Sequence, residues 1–516
     1  MTDRPFVTPQ LPPGFPMPSR TVTHPSFRSR TRPRWHVPLA AALLLVGLLL
    51  PALSAAQTPT RLEDALLRAS NGGYADNFGT SVAIDGDRAI VGAYSEDGPS
   101  DELLDSGAAY VFERDASGTW TEVALLRASN AGEDDYFGQS VAFFGISVAI
   151  DGDRAIVGAP SAGAYIFERD ASGTWTEVAL LDNSYGEFGI SVAIDGDRAI
   201  VGDVFESGPS DGLTWSGAAY VFERDASGTW TEVALLRASN AGEDDYFGDR
   251  VAIEGDRAIV GAYSEDGSSD ELLNSGAAYI FERDASGTWG TSEDGFFSGG
   301  FQTETALLRA SNAGEEDFFG TSVAIEGDRA IVGASREGAA YVFGRDAGGT
   351  WTEEALLREE DFFGTSVAID GDRVAIGGYP THIFEREASS TWTQVALLHA
   401  SNNAGGDTFG TSVALDGDRA IVGAQYEDGP SDGLQDSGAA YVFSLSDLTP
   451  VALTGGGAYD PPPPVPGTSR NPLGRLALTA NVTGPTVRGL TIRTTDAGEG
   501  VETVSLWTSA SATFDA

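Results

Sequence analysis

Between residues 60 and 445 the chain repeats one arrangement of apolar and polar positions. In residues 78–126 it reads FGTSVAIDGDRAIVGAYSEDGPSDELLDSGAAYVFERDASGTWTEVALL. Ser81-Val82-Ala83-Ile84 alternates small polar with apolar residues, Ala89 to Ala93 is continuously apolar, and the stretches 108–112 and 119–126 alternate again. Period-two alternation rich in β-branched and aromatic residues predicts strands, and none of these stretches carries a helical period. Asp-Gly and Ala-Ser-Gly fill the first and third joints, as hairpins require, because glycine takes positive φ without steric cost. Each unit therefore predicts four short antiparallel strands.

Counting the units sets the fold. The Phe-Gly that opens a unit has its glycine at Gly79, Gly145, Gly189, Gly248, Gly320, Gly364 and Gly410. An acidic-Gly-Asp-Arg turn follows each time, starting at Asp85, Asp151, Asp195, Glu254, Glu326, Asp370 and Asp416. Seven four-stranded sheets whose inner strands are apolar on both faces bury those faces most simply by stacking radially, so the expected fold is all-β, a seven-bladed β-propeller. Residues 62–70 (LEDALLRAS) match the fourth strand of a unit yet precede the first Phe-Gly, while the seventh unit ends at Phe443 without a fourth strand. The N-terminal strand is expected to complete the last blade by pairing around Tyr441 to Phe443; a framing that places it first in blade one is also open at this level.

The pattern F-G-x-S-V-A, then V-G-A, then G-A-A-Y-V-F resembles the FG-GAP repeat, the blade unit of the integrin α-subunit propeller and of many bacterial secreted proteins. Only Gly158-Ala159-Pro160 spells the last three letters literally. The resemblance implies a rigid scaffold that binds ligands through the loops of one face. In integrin-type blades it also implies an Asp-rich calcium loop in the first hairpin. Here that hairpin holds only two carboxylates beside an arginine, too few oxygens for a calcium cage, so the family's calcium site is not carried over to Asp85, Asp87 or their equivalents.

Composition adds a charge and a compartment. The 516 residues hold 76 acidic side chains against 31 basic ones, a formal net charge of −45, and every basic residue is arginine. Nucleic acid is excluded as a partner on that charge. An acidic, lysine-free surface suits solubility in concentrated salt, where repulsion is screened within about 3 Å at 1 M. Residues 1–56 read as an export signal with a long Arg- and Pro-rich start, an apolar run over 37–53 and Ser54-Ala55-Ala56 before the expected cut; translation from Met17 would shorten the start. A membrane anchor, the competing reading, needs about 20 apolar residues. With no cysteine, an exported fold rests on packing and ring closure alone. Residues 446–470 read as a Gly/Pro linker, and 471–516 as an incomplete β-rich segment that looks like the start of a further domain.

Candidate chemistry is sparse. Beyond the signal there are two histidines, His382 and His399, both expected to be surface substitutions, and no lysine. No catalytic residue is assigned, although abundant carboxylates leave a polysaccharide-acting enzyme or accessory protein as an alternative. Strand parity puts the second joint of each unit and the blade-to-blade crossing on one face. Residues 95–107 carry five acids and no base, so that face is expected to be acidic. Long acidic second joints occur in units one, three, four and seven, and these meet as neighbours in a ring. The expected weak cation contributors are Asp97, Asp101, Asp266, Asp270, Asp428 and Asp432, with calcium the fitting ion. The reading is a secreted or cell-surface, non-enzymatic binding or adhesion module, a monomer with an extracellular protein or glycan as ligand and no membrane span after cleavage; a structural spacer is the remaining alternative.

Overall fold

The computed structural model describes residues 58–97, 105–130, 147–160, 162–182, 188–208, 212–267, 272–292, 302–359, 363–402, 406–429, 433–446, 490–495 and 501–506. The expected signal, the linker and most of the C-terminal segment lie outside them. Among the described residues there is no helix. Seven antiparallel sheets form seven blades, and in blade 1 the strands Phe78–Asp85, Arg88–Ala93, Ala108–Arg114 and Trp120–Leu126 pair in sequence order. The first strands of successive blades touch one another around a closed circuit, from Phe78–Asp85 through to Val413–Asp416 and back.

There is no single core. Seven apolar clusters occur, each at the seam between two blades. At the seam of blades 7 and 1, Ile421, Ala440 and Val442 pack against Phe78, Val82, Val91 and Tyr110. The repeated Phe-Gly makes that seam close: Phe78 is fully buried, with its ring edge-on to Tyr110 (5.4 Å) and Phe112 (6.0 Å). Gly79 follows at φ 91°, where a Cβ would stand 2.1 Å from the Ala439 carbonyl oxygen of the preceding blade. The glycine of Val-Gly-Ala meets it from the other side, since a Cβ on Gly423 would stand 1.9 Å from the Gly79 oxygen. Both glycine positions that recur in the sequence are thus points where two backbones touch.

Closure follows the first of the two framings. Ala65–Leu67 pairs antiparallel with Ala439–Ser444, Leu66 opposite Tyr441, as the fourth strand of blade 7. The segment just before it does something the sequence did not announce: Thr60–Leu62 pairs in parallel with Trp392–His399, so eight residues clasp blades 6 and 7 together. The second unit holds two Phe-Gly copies in succession, at 137–138 and 144–145, and its first strand, Val148–Asp151, follows the later one. Unit four carries an insertion over residues 290–305; Ala306–Leu308 serves as that blade's fourth strand, and Gln302–Thr303 extends blade 3 instead by pairing in parallel at Leu236. Apart from the propeller, Leu490–Thr495 and Val501–Leu506 form an antiparallel hairpin.

Candidate functional site

The two faces of the ring are built differently. On one, the Asp-Gly-Asp-Arg turns lock onto each other. Asp85 Oδ2 accepts the Gly152 N–H of the next blade (2.8 Å), and Arg88 Nη1 donates to the Gly152 carbonyl (2.6 Å) and reaches Asp153 (3.1 Å). All seven junctions repeat the carboxylate-to-glycine bond. All seven repeat the arginine-to-carbonyl bond as well. The circuit closes where Asp416 and Arg419 grip Gly86. These carboxylates hold neighbouring backbone, a role that Glu254 and Glu326 fill as well as the five Asp.

The opposite face carries the second joints and the crossings, and here the sequence reading needs a correction of degree. Its acidic loops hold no base of their own, but arginines from another strand reach them. Glu96, Glu265 and Glu427 are buried, and each is held by an arginine from the end of its own blade's fourth strand: Arg127, Arg309 and Arg68. Glu206 and Glu337 are met in the same way by Arg237 and Arg358. The crossing joins this network. Asn71 donates to Glu96 (2.8 Å) and accepts the Tyr110 hydroxyl (2.9 Å); Asn240 and Asn402 do the same in blades 4 and 7. Tyr341 donates to Asn312 in the same way in blade 5 (2.9 Å), and burial pushes these tyrosine hydroxyls up, in Tyr341 to about 12, so they stay neutral donors. Ser129 completes the recurring Arg-Ala-Ser-Asn by binding Glu177 of the next blade through N–H (2.8 Å) and Oγ (2.9 Å). The Arg thus ties its own blade, and the Ser and Asn tie the next.

Of the six candidate cation contributors, Asp101, Asp270 and Asp432 lie outside the described residues. The other three occupy matching places, and each closes its own loop. Asp97 Oδ1 accepts the Asp105 N–H (3.0 Å), Asp266 Oδ1 that of Asn274 (2.8 Å), and Asp428 Oδ1 that of Asp436 (3.1 Å). Among the described residues no group of three or more His, Asp or Glu side chains is placed to hold a metal ion.

The histidines are not surface substitutions. His382 is buried, edge-on to Phe363 (5.2 Å), in the place that Tyr110 holds in blade 1, and its Nδ1 lies 2.6 Å from Gln394 Nε2. His399, half-buried, stands at the end of the fourth strand where five other blades have the network arginine. Burial pushes both down, His382 to about 4, with His399 adding to the effect. Blade 6 therefore fills the network's place with two neutral imidazoles. The shortened loop over 379–382, which lacks the network glutamate, was the available signal.

One further group escaped the sequence reading. The three described junctions with long second joints share a backbone scaffold, in which the crossing pairs with the joint of the preceding blade. At blades 3 and 4, Asp244 N–H donates to the Thr214 carbonyl (2.9 Å) and Tyr246 N–H to that of Trp215 (3.2 Å). The equivalent facing pairs are Asn77 with Asp436 and Phe318 with Asn274, all six residues at φ between 51° and 58°. Only the junction of blades 3 and 4 places aromatic rings on both sides. Trp215 stacks on Tyr246 (6.2 Å, 23°) and Tyr246 on Tyr263 (5.6 Å, 11°), with Phe205 and Phe318 edge-on at the two ends. Beneath them Asp249 and Arg250 (3.1 Å) replace the Thr80-Ser81 of unit one, and Asp203 replaces Ala93. Asp249 is buried, which raises its carboxyl against the lowering effect of Arg250.

A ring of seven four-stranded blades, locked by turn-to-turn bonds on one face and carrying variable loops on the other, defines a seven-bladed β-propeller with one loop face available for contact. Residues 62–112, 178–222, 230–281, 302–343 and 392–443 match the FG-GAP repeat model. The chain is an FG-GAP repeat protein. The matched repeat starts one strand ahead of the blade, so its frame begins with the fourth strand of the blade before. No curated protein matches the chain. Among solved structures it is similar to the WD40 repeats of RRP9 (12% identity, 75% of this chain and 98% of that one, TM-score 0.46). It is also similar to the periplasmic gluconolactonase of Pseudomonas aeruginosa (14%, 64% and 86%, TM-score 0.42) and to the computationally designed Ika8 protein (12%, 69% and 82%, TM-score 0.40). At these levels the likeness bears on neither chemistry nor ligand.

Proposed function

We propose that this protein is an exported, non-enzymatic binding module that contacts an extracellular protein or glycan through the face carrying its second joints and crossings. The observation that carries the reading is the difference between the faces. The turn face keeps an acid followed by Gly-Asp-Arg in all seven units, and these residues bind one another, whereas the other face keeps a backbone scaffold and changes the side chains on it, from Asn77 with Asp436 to Tyr246 with Trp215. A rigid frame with exchangeable loop residues is how binding surfaces are made. The absence of cysteine and lysine and the packing roles of His382 and His399 favour binding over nucleophilic or acid-base chemistry.

The test is a combined protein and glycan array probed with the protein recovered from outside the cells. Saturable capture of a defined molecule, without its turnover, is the expected result; turnover of a polysaccharide, or no capture at all, overturns the reading. Export itself predicts Gln57 as the N-terminal residue of the recovered protein by mass spectrometry; an intact apolar segment retained in membranes contradicts it.

A further inference from the structure

The aromatic string at blades 3 and 4 is the place where departures from the repeat gather. Six of the seven tryptophans between residues 60 and 445 open a fourth strand, and five of those six are buried. Trp215 is the exception: it sits in a second joint, 43% exposed, where the other long joints have Asp105, Asn274 and Asp436. All four take φ between 51° and 54°. Aspartate and asparagine adopt that conformation readily, whereas a bulky aromatic does so rarely and under strain. The polar residues at the same scaffold position take the same φ, so the backbone scaffold itself does not call for an aromatic there.

The neighbours decide the ligand chemistry. Glu243 and Asp244 are exposed on the same crossing as Tyr246, and Glu315 and Glu316 on the next. Ionised carboxylates only accept hydrogen bonds, so an anionic occupant is excluded and a donor-rich one is favoured. The position a cation would take at the Phe318 end is already filled from within. Arg336 lies over that ring (5.3 Å) and pairs with Glu316 (2.9 Å). What remains is a row of half-exposed rings, each step 5.5 to 6.2 Å long from Phe205 to Tyr263, bordered by acceptors. A neutral sugar chain has the matching surfaces, apolar C–H patches for the rings and hydroxyl donors for the carboxylates.

We infer that the aromatic row Phe205, Trp215, Tyr246 and Tyr263 at the junction of blades 3 and 4 is a subsite for an uncharged oligosaccharide. The inference rests on the binding-module reading above and names the ligand class of that face.

The test is calorimetry and tryptophan fluorescence of the full protein with neutral pentasaccharides of glucose, xylose and mannose, and with pentalysine as the cationic arm. Trp215→Asn and Tyr246→Asn place at this junction residue types that the same scaffold holds elsewhere, so both variants should fold, with Trp215→Asn melting no lower than the wild type. The expected result is saturable binding of at least one neutral pentasaccharide, weakened about tenfold or more by either substitution. Equal binding by wild type and variants, binding of pentalysine alone, or no sugar binding up to 20 mM overturns the inference. If the array captures a protein while no pentasaccharide binds, the binding-module reading survives and this inference does not.

Discussion

Replacing Glu427 by alanine should open the ring at its closing blade. The carboxylate is 4% exposed and takes three donors: the Arg68 guanidinium (2.5 Å), the Asn402 amide (2.7 Å) and the Gly429 N–H (2.9 Å). Arg68 belongs to the N-terminal clasp and Asn402 to the crossing from blade 6, so one side chain holds three segments. A buried donor left without its acceptor costs roughly 1–3 kcal/mol. Arg68 is 26% exposed and recovers part of its loss from water. The expected destabilisation for Glu427→Ala is therefore about 3–4 kcal/mol, and for Glu427→Gln, which keeps one acceptor and the volume, about 1–2 kcal/mol. Denaturant unfolding followed by far-UV circular dichroism at fixed salt measures both. A double-mutant cycle with Arg68→Ala should show strong coupling, because the second substitution removes a group already left unpaired. A loss under about 0.5 kcal/mol for Glu427→Ala, or additive losses in the cycle, refutes the claim that this network closes the ring.

Three other outcomes are expected, two from the same geometry and one from the acidity of the second joints. Gly79→Ala should cost about 3 kcal/mol or more, since its Cβ meets the Ala439 oxygen, whereas Gly86→Ala, at φ 57° with open space around it, should cost about 1–2 kcal/mol; equal losses in thermal melts contradict the seam argument. His382 binds its proton less readily in the folded chain, at about 4 against an ordinary 6.5, so its contribution is fully present above pH 6.5 and is lost as pH falls towards 4, by about 3 kcal/mol at most. His382→Tyr, the residue at this place in blade 1, should flatten that part of the pH–stability curve, and an unchanged slope places the titration elsewhere. Calcium at millimolar concentration and constant ionic strength should raise the melting temperature of the wild type more than that of a variant with Asp97, Asp101, Asp266, Asp270, Asp428 and Asp432 changed to Asn; equal stabilisation by sodium chloride makes these loops solvation devices.

The fold was legible because repetition magnifies weak local signals. One Phe-Gly or one Asp-Gly-Asp-Arg is uninformative, but seven in step set the blade count, and the orphan strand at each end set the closure at Tyr441. What stayed hidden depends on contacts between units. The second joint reads as acids without a base because Arg127 arrives from the end of a strand about thirty residues later. His382 reads as a surface change because the edge-on packing of Phe363 is visible only once the first and third strands are paired side by side. The parallel pairing of Thr60–Leu62 with blade 6 has no turn or periodicity to announce it. The aromatic row was present in the sequence as single letters, Phe205, Trp215, Tyr246 and Tyr263, but its members come from two second joints and a crossing, and only the shared backbone scaffold brings them into line.

The proposed division of labour gives one face of this ring to locking the blades and the other to binding. Hydrogen exchange of the protein, with and without whichever molecule the array captures, tests it most directly. The glycine amides of the Asp-Gly-Asp-Arg turns, Gly86 and Gly152 among them, should be slow in both states, and the captured molecule should protect residues in 205–216 and 240–249. Fast exchange at those turns without ligand, or ligand protection confined to them, contradicts it.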